Sequence, residues 1–154
     1  MFKIIFSLVF LTLSLNIKAC KYLVQGKAAL GFQYNNGAAW AILCTRTPYG
    51  TIPGKLDGHK GAYYTWKGKE KRCHHWTPID GTLYPIDNKY DQVYLPESCK
   101  ARGYSHVTKE HFFNAIVPGA HGMVPGKASC NLRHAWYGWG WKQHPASGIF
   151  YVIC

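Results

Sequence analysis

The sequence predicts an all-β protein, built as two copies of one antiparallel β module that pack on each other about a pseudo-twofold and are stapled by disulfides. Three observations lead there. Short apolar or aromatic runs are bounded by turn residues, and beyond the first nineteen residues no stretch longer than about ten keeps a 3.6-residue period free of Gly and Pro. The chain also repeats itself at a shift of 72.

Taken in order, Asn36-Gly37 is a tight-hairpin signal that opens the first run, Ala38 to Thr45. Its partner in the repeat is Glu110 to Val117. Pro53-Gly54 and Pro125-Gly126 fit the central positions of type II turns, because proline presets the first dihedral and glycine accepts the second. Ala62 to Trp66 alternates, with Ala62, Tyr64 and Trp66 on one face. Thr77 to Asn88, with Asp80-Gly81 and two prolines, reads as a turn-rich linker, and Ile149 to Cys154 as a last strand held by its final cysteine.

In the repeat, Tyr22-Leu23 meets Tyr94-Leu95, Gly31-Phe32 meets Gly103-Tyr104, and Tyr49-Gly-Thr-Ile-Pro-Gly-Lys55 meets His121-Gly-Met-Val-Pro-Gly-Lys127. After a one-residue insertion in the second copy, Ala62 to Trp66 meets Ala135 to Trp139, and Lys69-Glu70 meets Lys142-Gln143. The modules are then residues 20–92 and 93–154. Neither buries much alone, so the two are expected to share a core.

Residues 1–19 carry an early Lys3, an apolar run from Ile4 to Leu15 and a small Ala19, the pattern of a secretory signal cut before Cys20. The apolar run is too short to span a membrane comfortably, and no transmembrane segment is expected after it. Among the 154 residues, Lys and Arg number 18 against 7 Asp and Glu, a net charge of +11. Removing Lys3 and Lys18 with the leader leaves the mature chain at +9. Six cysteines remain, Cys20, Cys44, Cys73, Cys99, Cys130 and Cys154, an even number suited to three disulfides whose pairing stays open. No CxxC suggests a zinc ribbon or a redox centre.

The repeated residues carry a resemblance. Gly50-Thr-Ile-Pro-Gly-Lys55, Ala62 to Trp66 and Gly68-Lys69-Glu70 resemble the second half of a DM-nine repeat, and Gly31-Phe32-Gln33 with Trp40-Ala-Ile-Leu43 its first half. The succession returns as Gly103-Tyr104-Ser105, Phe112 to Ala115, Gly122 to Lys127, Ala135 to Tyr137 and Lys142-Gln143-His144. This module occurs in arthropod DM-nine proteins, natterin-like proteins and mannose-binding molluscan lectins. The resemblance implies interlocked antiparallel β modules with sugar sites near their junction, each holding hydroxyls with an acidic residue and the lysine of Pro-Gly-Lys. The lysines match Lys55 and Lys127, whereas the acidic position falls on Gln33 and Ser105, so the carboxylate is missing in both copies.

Read by its own chemistry, each of these lysines follows a rigid turn and offers three donors to vicinal hydroxyls or a point charge to an anion. Trp66 and Trp139 read as core, while Trp141, matched by Gly68 and set among glycines, is the candidate exposed sugar platform and belongs to the second site alone. Glu70 can hold a lysine or accept a sugar hydroxyl; its counterpart Gln143 keeps the hydrogen bonding without the charge. Asp57 is the nearest carboxylate to stand in for the missing one.

The eight histidines are scattered, and adjacent His74 and His75 point to opposite faces of a strand, so no metal site is expected. None of the seven acids recurs between the modules, which disfavours a glycosidase pair, and neither Pro-Gly-Lys sits in a phosphate-binding loop. Oxidised cysteines disfavour a Cys-His nucleophile. No cofactor and no specific nucleic-acid readout are expected. The resulting reading is a secreted, non-enzymatic, lectin-like protein taking neutral hexose glycans, mannose-type among them, at two Pro-Gly-Lys sites, with homodimerisation left open. The alternative is a basic protein that attaches to anionic surfaces, phospholipid or sulfated glycan, as a defence or toxin component.

Overall fold

The computed structural model describes residues 37–58, 60–87, 95–96 and 98–154. The leader 1–19, Cys20, Gln33, Asn36, His59, the early repeat positions 22–32 and the module boundary at 92–93 lie outside the described residues.

Twelve antiparallel strands follow in chain order among the described residues: β1 (Ala39–Thr47), β2 (Gly50–Asp57), β3 (Gly61–Trp66), β4 (Lys69–Arg72), β5 (His75–Pro78), β6 (Leu83–Ile86), β7 (Gly103–Ser105), β8 (His111–Gly119), β9 (Gly122–Ser129), β10 (Ala135–Trp139), β11 (Lys142–Pro145) and β12 (Phe150–Ile153). Three hairpins, β1–β2–β3–β4, and their later counterparts, β8–β9–β10–β11, form two ribbons that meet at β4 and β11, where Lys69 stands opposite Lys142. The short β7 closes the other side by pairing with β2 and with β8. The circuit β2–β3–β4–β11–β10–β9–β8–β7 is therefore a closed eight-stranded barrel, with β1, β5, β6 and β12 as extra strands. Within the ring every strand is paired on both sides, so the edges that an antiparallel sheet must protect are left to the outer strands β5 and β6.

The apolar runs supply the core. Phe113, Ala115, Val117, Val124, Phe150, Val152 and Ile86 gather in one buried cluster; Ile42, Ile52, Tyr64, Trp66 and Phe112 gather in another. Each large side chain so buried stabilises the fold by about 1.5–3 kcal/mol. Ala62, Tyr64 and Trp66 do share the second cluster, as alternation along β3 requires.

The Pro-Gly pairs are not turns. Pro53-Gly54 lies inside β2 and Pro125-Gly126 inside β9. Along one edge β2 pairs first with β7 at Gly50 and Thr51 and then with β3 from Gly54 onward, so Pro53 falls in the gap between two partners. There its missing N–H costs no ladder bond. Pro125 likewise precedes the part of β9 that pairs with β10. The glycines serve close approach: a Cβ on Gly54 would strike the Tyr63 carbonyl and one on Gly126 the Trp136 carbonyl. The expected linker 77–88 is also partly strand. Both β5 and β6 are outermost strands, where Pro78 and Pro85 are tolerated.

Disulfides join Cys44 to Cys73 and Cys99 to Cys154, and Cys130 is disulfide-bonded as well. The first ties β1 to the chain leaving β4; the second anchors the end of β12, as its terminal cysteine suggested.

Candidate functional site

Because Lys55 and Lys127 stand on strands and not on turns, alternation fixes which way each points, and both are only 4% exposed. Lys55 Nζ on β2 donates to the Gly138 carbonyl on β10 at 2.7 Å; Lys127 Nζ on β9 donates to the Thr65 carbonyl on β3 at 2.6 Å. In each case the two strands lie four places apart on the eight-strand ring, directly across the barrel. In the repeat, Thr65 is the counterpart of Gly138, so each lysine crosses to the same position of the other copy.

Aromatic rings surround each ammonium in matching order. Lys55 Nζ lies 5.0 Å from the Trp139 ring centre and 5.8 Å from that of Tyr63. Lys127 Nζ lies 4.9 Å from Trp66, 5.7 Å from Trp136 and 5.1 Å from Phe112. Ring quadrupoles stabilise a buried cation that water no longer reaches. Behind Trp139 stacks His121 at 4.5 Å, and behind Trp66 stacks Tyr49 at 4.6 Å, again repeat counterparts.

The carboxylates break the match. Glu70 Oε2 lies 3.2 Å from Lys55 Nζ as an ion pair, and Oε1 accepts from the Trp141 N–H at 3.2 Å. This arrangement needs Gly138, where a Cβ would come within 2.9 Å of Glu70 Cγ and Cδ. Lys127 has Gln143 at the corresponding place and no ion pair among the described residues. Burial lowers the Lys127 pKa to about 8, with Glu110 opposing the shift. His121 is also held below the ordinary histidine value, first by burial and then by His144 and Lys55.

Each lysine opens on a pocket. A cleft of about 170 Å³ is lined by Lys55, Asp57, Tyr63, Glu70, Trp139 and Trp141, with Lys60 at its margin. A second, of about 200 Å³, is lined by Trp66, Thr108, Phe112, Lys127, Trp136 and Gln143, with Lys67 and Glu110 alongside. Both are small, lined by rings and polar groups, and sized for a single small ring.

The fold thus gathers Lys55, Asp57, Glu70 and Trp141 in one pocket, and Lys127 with Gln143 in the other. Glu70 does hold a lysine, namely Lys55. Trp141 is 61% exposed, but it meets Tyr63 edge to face at 5.8 Å in the Lys55 pocket. Its expected assignment to the second copy alone is overturned, because β4 and β11 pair and bring the tip of one hairpin over the other copy. Ser105 ends β7 and is fully buried, its Oγ accepting from the N–H groups of Val107 and Thr108 in the turn that follows, and it is not among the residues lining either pocket.

Sequence reasoning missed Gly138, Thr65, Thr108, Glu110 and His121. The only available signal was the repeat alignment itself, which pairs Thr65 with Gly138 and Tyr49 with His121. No family model matches the chain, and no curated protein matches it. Among the described residues no group of three or more His, Cys, Asp or Glu is placed to hold a metal ion. Chemically, each pocket offers a fixed ammonium donor between aromatic faces, an arrangement that suits a ligand with polar rim and apolar faces.

Proposed function

We propose that this chain is a secreted, non-enzymatic lectin of the DM-nine type, its two modules interlocked about a pseudo-twofold, and that it binds hexose-containing glycan at the Lys55 and Lys127 pockets. The observation that carries this reading is the reciprocal exchange of Lys55 to the Gly138 carbonyl and Lys127 to the Thr65 carbonyl, each beside a ring-walled pocket. A pyranose presents C–H faces to rings and hydroxyls to donors. In this reading Asp57 takes the acceptor role left by the missing acidic residue, for the Lys55 pocket only. Two shallow sites give millimolar affinity, roughly −4 kcal/mol each, raised by avidity on multivalent surfaces.

A second reading has a specific observation behind it. Lys69 and Lys142 stand opposite each other at the β4–β11 seam, both exposed, with no ion pair among the described residues. Like charges in register repel unless an anion bridges them. Attachment to sulfated glycan or anionic phospholipid is the function this seam favours.

A glycan array read at low and high ionic strength separates the two. Neutral-glycan binding that survives salt and is lost on replacing Lys55 and Lys127 supports the lectin; binding only to anionic surfaces, lost with salt and on Lys69→Ala/Lys142→Ala, supports the alternative.

A further inference from the structure

We propose that the two pockets take different sugars: the Lys127 pocket binds a sugar ring carrying one negative charge, such as a uronate or a sugar sulfate, and the Lys55 pocket a neutral ring. This rests on the lectin reading above and sharpens it.

The Lys55 ammonium already has its counter-ion, Glu70 at 3.2 Å. At the corresponding place beside Lys127 stands neutral Gln143. No protein carboxylate forms an ion pair with Lys127 among the described residues, which leaves that place to a carboxylate or sulfate from a ligand.

The hydrogen-bonding tally points the same way. Among the described residues, Lys127 uses one of its three ammonium donors, on the Thr65 carbonyl. Gln143 Oε1 and Thr108 Oγ1, both buried on the wall of this pocket, have no hydrogen-bond partner among the described residues. Buried polar atoms without partners are costly, and ring hydroxyls of a bound sugar would supply the missing bonds. Charge differs too. Among the described residues, Lys67 and Lys127 line one pocket with Glu110 as its single acid, while Lys55 and Lys60 line the other with Asp57 and Glu70. An anion entering the Lys127 pocket gains a charge-assisted bond, and in the Lys55 pocket it must compete with Glu70. An anion beside Lys127 also favours its charged form, so binding near pH 9 takes up a proton.

The test is calorimetry of the purified protein with methyl glucuronide, glucose 6-sulfate and methyl glucoside, in wild type, Lys127→Ala and Gln143→Glu. At about pH 9, paired buffers of different ionisation enthalpy report the proton. We expect at least one charged sugar to bind about tenfold tighter than the glucoside, with proton uptake. Either substitution should abolish that preference while glucoside binding at the Lys55 pocket persists. Gln143→Glu leaves Lys127 and its bond to Thr65 in place, so it decides the matter if Lys127→Ala does not fold. Which charged sugar binds tighter distinguishes carboxylate from sulfate. Equal binding of charged and neutral sugars, or a preference that survives Gln143→Glu, overturns the inference and leaves the lectin reading standing. If none of the three sugars binds, the lectin reading falls and takes the inference with it.

Discussion

The Lys55 ammonium and the Glu70 carboxylate lie 3.2 Å apart with side chains only 6% and 7% exposed, so one pocket of the barrel contains a nearly dry ion pair. Both charges gave up water to be there, and each is tolerable chiefly because of the other.

Removing one partner should therefore cost more than removing both. Lys55→Met leaves Glu70 buried and uncompensated and is expected to destabilise by about 3–5 kcal/mol, while Lys55→Met combined with Glu70→Leu regains a large part of that loss. Urea unfolding of the two single variants and the double variant measures the coupling. Additive losses would show that the two groups do not depend on each other.

Lys127 gives stability an alkaline dependence. Its folded pKa of about 8 is below the ordinary 10.5, so between these values the unfolded chain holds a proton that the folded chain has released. Stability from this group rises with pH across that window, in total by roughly 3 kcal/mol, and is lost as pH falls back through 8. Tyr64 and Tyr137, whose hydroxyl pKa values are raised by burial, act in the opposite sense as pH climbs past 10. The measurable quantity is thus the difference between wild type and Lys127→Met: Lys127→Met should lack the rise. Parallel curves for the two proteins would contradict the assignment.

His121 gives an acidic dependence confined to the Lys55 pocket. Its folded pKa is depressed, so its contribution to stability is present above the ordinary value near 6.5 and is lost as pH falls below it. Protonation would also set a cation on one face of Trp139 with Lys55 near the ring. Tyr49 performs the same stacking on Trp66 with a phenol ring in place of an imidazole, which makes His121→Tyr the natural substitution. Melting temperatures of His121→Tyr should fall less than those of wild type on going from neutral to mildly acid solution.

The Cys99–Cys154 bridge closes a long loop, 55 residues apart in sequence, and holds β12 against the barrel. Its replacement by Cys99→Ala/Cys154→Ala should cost about 2–5 kcal/mol. Non-reducing peptide mapping should recover this bridge and Cys44–Cys73 as separate linked pairs; a Cys44–Cys99 or Cys73–Cys154 peptide would refute the pairing.

Local preference accounts for what was legible in the sequence. The runs at 38–45 and 110–117 become β1 and β8 within two residues at either end, since apolar and aromatic side chains bounded by turn residues suit a pleated, half-buried surface. The repeat marked Lys55 and Lys127 as equivalent before any contact was known. Turn chemistry misled at Pro53-Gly54, because a proline without an N–H and a glycine without a Cβ serve a gap in strand pairing as well as a turn.

By itself, then, the sequence determined that the chain is β-rich, internally repeated, basic and even in cysteines, all properties carried by residue type and spacing. Tertiary structure alone decided that β7 closes the barrel, that Lys55 and Lys127 reach across it to opposite strands, and that Trp141 joins the Lys55 pocket. The physical reason is range. Dihedral preference and alternation act over a few residues, but which backbone carbonyl meets an ammonium is set by strand pairings between residues more than fifty positions apart. Those depend on the whole sheet closing in one register.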